Sequence, residues 1–391
     1  MKKVLLIFAI CLCVMGLKAQ NNETIPQSIG DKILEDVKQD RLTIGGYGEI
    51  HYNQKVDAQT RYNGNLDVHR MVLFLGYQFS NRVQFVTEIE YEHVKELYVE
   101  QAFMNYNVAN NLSLRGGLML VPMGIVNEYH EPTTFNGVER PNVDKYIVPS
   151  TWREVGVGIN GRMPSASLKY QLYLMNGFDG FDGGAKFSAS NGLRKGRQKG
   201  AESTMTSPSI AGKVDFYGVK GLNLGLSGYF GKSQSSLFDG LDKNNAEDRT
   251  EADSSRINVN MIGLDARYRW NAFQVKGQYI HSFMSNVGQY NKYTDADMGS
   301  QMMGYYLECS YDLLHGKKQS LLPFVRYESY NTQHKVVEGY AANAKNDRTD
   351  WTFGVSYHLA KGAVVKADYQ RMTNAAEEKT NQLNFGVGVW F

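Results

Sequence analysis

The chain has little of what usually stops or staples a fold: 8 prolines in 391 residues and, after residue 20, a single cysteine, Cys309. One thiol cannot close an internal bridge, so this is not a disulfide framework even in an exported protein. After residue 20 there is no run of 18 apolar residues, and mean hydropathy is −0.42, which excludes a membrane-spanning helix. A β-barrel is not excluded, because each of its strands needs only about 9–11 residues, with apolar side chains at alternate positions. A strong charge of one sign is also missing. Setting aside Lys2, Lys3 and Lys18 leaves 39 basic against 40 acidic side chains, which gives no support to nucleic acid as a partner. P-loop, HExxH and GxSxG motifs are absent after residue 20.

What is present begins with MKKVLLIFAICLCVMGLKAQ, where Lys2 and Lys3 precede an apolar run from Val4 to Leu17 and Ala19 stands before Gln20. This is the pattern of a cleaved secretory signal peptide over residues 1–19. Cys11 and Cys13 leave with it, and Ile10 and Leu12 stand where a lipoprotein signal needs a small residue. Residues 20–41 end in DKILEDVKQDR, whose weak helical spacing at Ile33, Leu34 and Val37 predicts a short periplasmic tail or a plug-like helix.

The rest, 42–391, reads as strands. At the C-terminus Leu383, Phe385, Val387, Val389 and Phe391 alternate with Gln382, Asn384, Gly386 and Gly388. Val83, Phe85, Thr87, Ile89 and Tyr91 alternate with Gln84, Glu88, Glu90 and Glu92, and Trp351, Phe353, Val355, Tyr357 and Leu359 with Thr352, Gly354, Ser356 and His358. Such rows suit a soluble sandwich or a barrel whose apolar side meets lipid and whose polar side lines water.

Connection lengths decide between the two. About 16 strands can be drawn, at 42–54, 65–79, 83–93, 97–108, 112–121, 151–163, 167–177, 207–217, 221–231, 257–270, 272–285, 300–314, 320–331, 347–359, 363–373 and 381–391. Every second connection is short, and most of the others (122–150, 178–206, 232–256, 332–346) are long and polar; Val94–Glu96 breaks the rule by being short. The expected fold is therefore an all-β, 16-stranded antiparallel transmembrane β-barrel with short periplasmic turns and long extracellular loops. A Greek-key sandwich has no reason for that alternation.

The connection 122–150 is too long for a bare loop without a task. Pro122, Pro132, Pro141 and Pro149 stiffen it, while Glu128, His130, Glu131, Glu139, Arg140, Asp144 and Lys145 supply both signs of charge. Folded inward, it would narrow the channel and set a field across it. LSLRGGLMLVPMG at 112–124, LYVEQAFMNY at 97–106, TWREVGVGINGRM at 151–163 and YLMNGFDG at 173–180 resemble the phosphate-selective porin O and P family. That resemblance implies a 16-stranded barrel, usually a homotrimer, in the outer membrane of a Gram-negative bacterium, passing anions and possibly phosphate. Leu118 and Leu120 stand where the family often has Gln and Lys, and no dense set of lysines occurs in 122–150.

By strand parity the lumen candidates are Arg70, Glu88, Glu90, Glu92, Arg115, Lys169, Lys276, Glu308, Lys366 and Asp368; Arg153, Arg267 and Arg326 stay unassigned. An Arg or Lys facing lipid at mid-depth would cost about 2–4 kcal/mol. A hydrolase of the barrel type would need a nucleophile and base in contact. His281 and Ser285 in YIHSFMSN would lie ~13 Å apart along a strand, far beyond the reach that pair requires. His130 beside Glu131, without a second spaced cluster, does not make a metal site. The expected protein is thus a porin with no catalytic residues, no cofactor and no metal. Its partners are outer-membrane lipid and small polar solutes or anions. An adhesive or structural surface barrel is the alternative.

Overall fold

A computed structural model describes residues 28–391; the expected signal peptide and the first residues of the 20–41 segment lie outside them. Helix α1 (Ile29–Asp40) comes first. Strands follow as β1 (Leu42–Val56), β2 (Asn65–Gln78), β3 (Val83–Glu92), β4 (Glu96–Ala109), β5 (Leu112–Leu120), β6 (Arg153–Met163), β7 (Leu168–Met175) and β8 (Ser209–Val219). The second half holds β9 (Leu222–Lys232), β10 (Asn258–Trp270), β11 (Phe273–Ser285), β12 (Gln301–Tyr311), β13 (Ser320–Lys335), β14 (Asp347–Ala360), β15 (Ala363–Asn374) and β16 (Lys379–Trp390). Each strand pairs antiparallel with its chain neighbours and β1 pairs with β16, giving a closed 16-stranded antiparallel barrel. Closure continues past the last strand, where Gly46 and Phe391 exchange backbone hydrogen bonds of 3.0 and 2.9 Å. Every strand drawn from the sequence is found, with ends displaced by a few residues.

The alternation of residue types decides the faces. In β16, Leu383, Phe385, Val387 and Val389 are exposed on the outside while Asn384 between them is fully buried. The same outward apolar row runs round the ring, through Met71 and Leu73, Val155 and Val157, Leu172 and Leu174, and Trp351 and Phe353. Strand ends define two rims, one closed by short turns and the other carrying the long connections.

The interior corrects one expectation, that the inward face is polar and simply lines water. From β7 to β13 the inward positions include Tyr173, Met175, Ala211, Tyr229, Val259, Met261, Ile280, Met284, Met302, Tyr306 and Tyr330, all buried. They form one apolar cluster with Trp152, Phe178, Phe187, Leu193 and Tyr290 from the long connections. Trp152 stacks on Phe178 at 4.3 Å, and Tyr229 lies 4.8 Å from the Trp152 ring. The connection between β7 and β8, expected over 178–206 as a long polar extracellular loop, therefore packs part of itself into the barrel. Its Asp179–Phe181 stretch pairs in parallel with Gln234–Ser235 of the next long connection.

The same apolar cluster extends to α1 and seats it. Ser28 and Asp31 form a reciprocal capping box that starts the helix. Ile33, Leu34 and Val37 then pack on Tyr47, Val72, Phe74, Val86 and Phe103 of β1–β4. The approach requires Gly76, since a Cβ there would sit 2.4 Å from Ile33. On its other side Asp31 reaches Lys169 of β7 at 2.7 Å, so α1 crosses the barrel near the short-turn rim.

Candidate functional site: the connection 121–152 and the barrel wall

Residues 121–152 leave β5 and return to β6, and between those ends they bond to inward side chains of strands far round the ring. Lys213 (β8) donates to the Gly124 carbonyl at 2.6 Å, and Gln278 (β11) accepts from the Ile125 amide at 2.9 Å. Asn136 donates to Glu308 (β12) at 2.9 Å, and Lys366 (β15) donates to the Phe135 carbonyl at 2.8 Å. The Val138 amide donates to Asp368 (β15) at 2.6 Å, and the Val143 amide to Glu328 (β13) at 3.1 Å. Arg70 (β2) donates to the His130 carbonyl. A backbone so placed must satisfy its own donors and acceptors, and the wall's charged side chains meet that need. The one regular turn is α2 (Val143–Tyr146), with Val143 and Asp144 buried.

The charged residues expected in this connection divide between wall contacts and open space. Glu128 accepts from Gln171 at 2.6 Å and lies 3.1 Å from Lys213. Glu131 is 3.5 Å from Lys32 of α1, and Asp144 accepts from Gln278 at 2.8 Å. Glu139 accepts from Asn53 at 2.8 Å and is 3.6 Å from His51. Arg140 and Lys145 border a cavity at the long-loop rim.

The wall residues picked by parity fall as follows. Arg70 donates through Nε to Glu49 at 2.6 Å and lies 3.9 Å from Glu90. Glu88 accepts from Gln101 at 3.0 Å. Glu92 stands half-buried at the long-loop rim, 3.9 Å from His93. Arg115 sits over the Phe103 ring at 4.4 Å and 3.6 Å from Asp31, the carboxylate that also holds Lys169. Lys276 reaches Glu308 at 3.1 Å, and Asp368 accepts from Asn384 at 2.7 Å. All ten are buried or half-buried.

The three arginines left unassigned also have partners inside. Arg153 lies 5.5 Å from the Tyr98 ring, Arg267 is 3.7 Å from Asp215, and Arg326 bonds Glu328 at 3.0 Å and the Glu139 carbonyl at 3.2 Å. Sequence reasoning missed Lys213, which is fully buried between Glu128 and Asp265 (3.2 Å). It shares parity with Asp215 opposite the exposed Ile210 and Val214, the signal that could have found it. His281 and Ser285 do not meet: His281 contacts Gln301 at 3.1 Å, and Ser285 accepts from Asn258 at 2.7 Å.

Two cavities flank the middle of the connection. One, of 530 Å³, opens at the long-loop rim and is bordered by Phe135, Val138, Arg140, Arg348 and Asp350. The other, of 540 Å³, opens at the short-turn rim and is bordered by Thr134, Asn136, Arg267, Lys276 and Glu308. Thr134–Val138 thus lines both. A third space of 690 Å³ lies beside α1, between Asp31, Glu35 and the wall at Asn105 and Asn160.

A closed ring of 16 antiparallel strands, apolar outside and crowded with paired charges inside, is the architecture of the porin-like barrels. Among solved structures it is similar to the anion-selective porin from Comamonas acidovorans (14% identity, 90% of this chain and 99% of that one, TM-score 0.57). It is also similar to Pseudomonas putida OprB at high pH (7%, 91% and 96%, TM-score 0.59) and to Salmonella typhi OmpF in complex with daunomycin (12%, 90% and 97%, TM-score 0.57). Identities this low speak for the fold. No family model matches the chain. An uncharacterised protein of Aquifex aeolicus (strain VF5) is 32% identical over 359 residues, covering 89% of this chain and 79% of that protein, and the chain belongs to the same family.

Proposed function

We propose that this chain is an outer-membrane porin that passes small polar solutes, anions ahead of cations, by diffusion through an interior narrowed by the connection 121–152. The observation that carries the reading is the stretch Thr134–Val138, which borders a cavity on each side. A solute moving from one rim to the other passes this stretch, so its charged neighbours Arg326, Glu308, Lys366 and Asp368 set the selectivity. The long connections then face the outside and the short turns the periplasm, with the exposed apolar belt against lipid.

Preference for anions rests on the short-turn cavity, where Lys220, Arg267, Arg269 and Lys276 face Glu308 as the acidic group. Inorganic phosphate is one anion of the class, and the quoted motifs at 97–124 and 151–180 support kinship with the phosphate-selective porins. The same likeness supports a homotrimer, for which the outward apolar face offers the surface. No covalent step is involved, and no side-chain constellation for one is needed.

Single-channel recording of the refolded mature protein in planar bilayers tests the reading. Stable ohmic steps with a salt-gradient reversal potential displaced toward the anion are expected, with phosphate lowering the chloride current. A folded, inserted barrel without conductance would overturn it and favour the adhesive alternative.

A further inference from the structure

A buried cluster joins the connection to the wall and is left electrically incomplete by its own ion pairs. Glu88 (β3) and Glu100 (β4) stand on neighbouring strands and His130 comes from the connection; one donor atom from each lies within 4.8 Å of the others, and all three residues are buried. His130 Nε2 is 3.3 Å from one Glu100 oxygen, and the Tyr47 hydroxyl is 3.2 Å from that oxygen and 3.1 Å from Nε2. Gln101 satisfies one oxygen of Glu88. The other oxygens of Glu88 and Glu100 are buried without a hydrogen-bond partner, as is one oxygen of Glu131 next to His130. Buried carboxylate oxygens without donors are costly, and two carboxylates brought together beside one imidazole call for a positive charge between them. Of the two guanidinium groups beside the cluster, Arg70 is engaged by Glu49 and the His130 carbonyl, and Arg153 lies against the Thr151 carbonyl and over the Tyr98 ring.

The imidazole provides an independent pointer. Its Nδ1 lies 3.1 Å from the Asn127 carbonyl, which can only accept, so Nδ1 carries the hydrogen. Nε2 is thereby the atom presented to the carboxylates. A ring N–H tied to a backbone carbonyl, with the other nitrogen facing acidic ligands, is the arrangement in which proteins hold a metal-binding histidine.

We propose that Glu88, Glu100 and His130 bind one divalent ion of the zinc or manganese class, which fastens the connection 121–152 to the barrel wall. Two carboxylates and an imidazole suit such an ion and leave a fourth position for water. Because two ligands come from strands and one from the connection, the site exists only when the connection is seated. The ion's binding energy therefore adds to the stability of that arrangement. This holds whether or not the barrel conducts.

The test uses the folded mature barrel, stripped with chelator and dialysed against zinc or manganese chloride, with bound metal read by elemental analysis and stability by thermal unfolding. Wild type and His315→Ala, which alters an exposed turn histidine, are expected to hold about one ion per chain and to melt higher with metal than without. Glu88→Gln and Glu100→Gln, which keep the side-chain shape, should bind at least about tenfold more weakly and lose the metal-dependent shift. Where a strand variant fails to assemble, His130→Gln on the connection replaces it. Wild type that takes up neither ion, or folded variants that bind as wild type does, would overturn the proposal and leave a shared proton as the cluster's positive charge.

Discussion

The Arg70 guanidinium donates to Glu49 across neighbouring strands at 2.6 Å and holds the His130 carbonyl at the same time, so one buried side chain bridges the wall and the connection. Both partners of the pair are almost wholly buried. Removing one member of a buried pair costs about 3–5 kcal/mol where the other charge is left bare, and less here because His51 stays 3.2 Å from Glu49. Arg70→Met is therefore expected to destabilise the barrel by up to that amount in denaturant titrations of the micelle-held protein. Arg70→Met with Glu49→Gln should recover much of the loss. A double variant no better than the single one would show that the His130 carbonyl, and not Glu49, is the partner that matters.

Asp31 fastens α1 to the far wall through Lys169. Burial disfavours its charge, yet the Lys169 and Arg115 cations outweigh this and hold the carboxyl well below the usual carboxylate range. A depressed acid stabilises docking fully above its ordinary value of about 4 and loses this only as pH falls through the depressed one. Helix α1 should accordingly stay seated at pH 4–5. Asp31→Asn should weaken docking by about 1.5–3 kcal/mol, read as faster protease cleavage within α1 and, in recordings, as larger unitary currents.

Asp144 behaves in the opposite sense. Burial pushes its carboxyl up to about 7 against the bond from Gln278. Between the unfolded value near 4 and 7 the folded chain keeps a proton that the unfolded chain has lost. Stability tied to this group falls as pH rises through that window and levels off above it. Asp144→Asn should be closer to, or above, wild type at pH 8 than at pH 5 in thermal unfolding; a pH-independent difference would show that the carboxyl does not titrate there.

The Trp152 ring, stacked on Phe178, anchors connection 176–208 inside the barrel. Trp152→Ala should cost about 3–5 kcal/mol and expose that connection to proteolysis from the long-loop side, while leaving the strand count, measured by amide infrared absorption, unchanged.

The strands and their order were legible because most strands carry a period of two, and Leu383 to Val389 show it without interference. The alternation of short and long connections was legible in the spacing between those rows. The interior was less legible. In β10 and β11 apolar residues occupy both parities, as with Val259, Met261 and Ile262, or Tyr279, Ile280, Phe283 and Met284. Strict alternation is lost there because the inward side faces packed connections, not water. That breakdown was itself the available signal. Lys213, Asp215 and Asp265 were missed because a lysine on a polar row looks the same whether solvated or locked among Glu128, Asp265 and a carbonyl. Which distant strand a connection touches depends on closure of the ring, and no local pattern encodes it.

The claim that solutes pass the stretch 134–138 is tested most directly by a thiol placed there. Cys309, on the outward face of β12, is first replaced by serine, and Asn136→Cys is recorded in a bilayer while a charged methanethiosulfonate reagent is added to either side. Asn136 borders the short-turn cavity and its neighbours Phe135 and Val138 border the other. Prompt, irreversible reduction of the current from both sides is the expected result. A modified protein, verified by mass, whose current does not change would contradict the account.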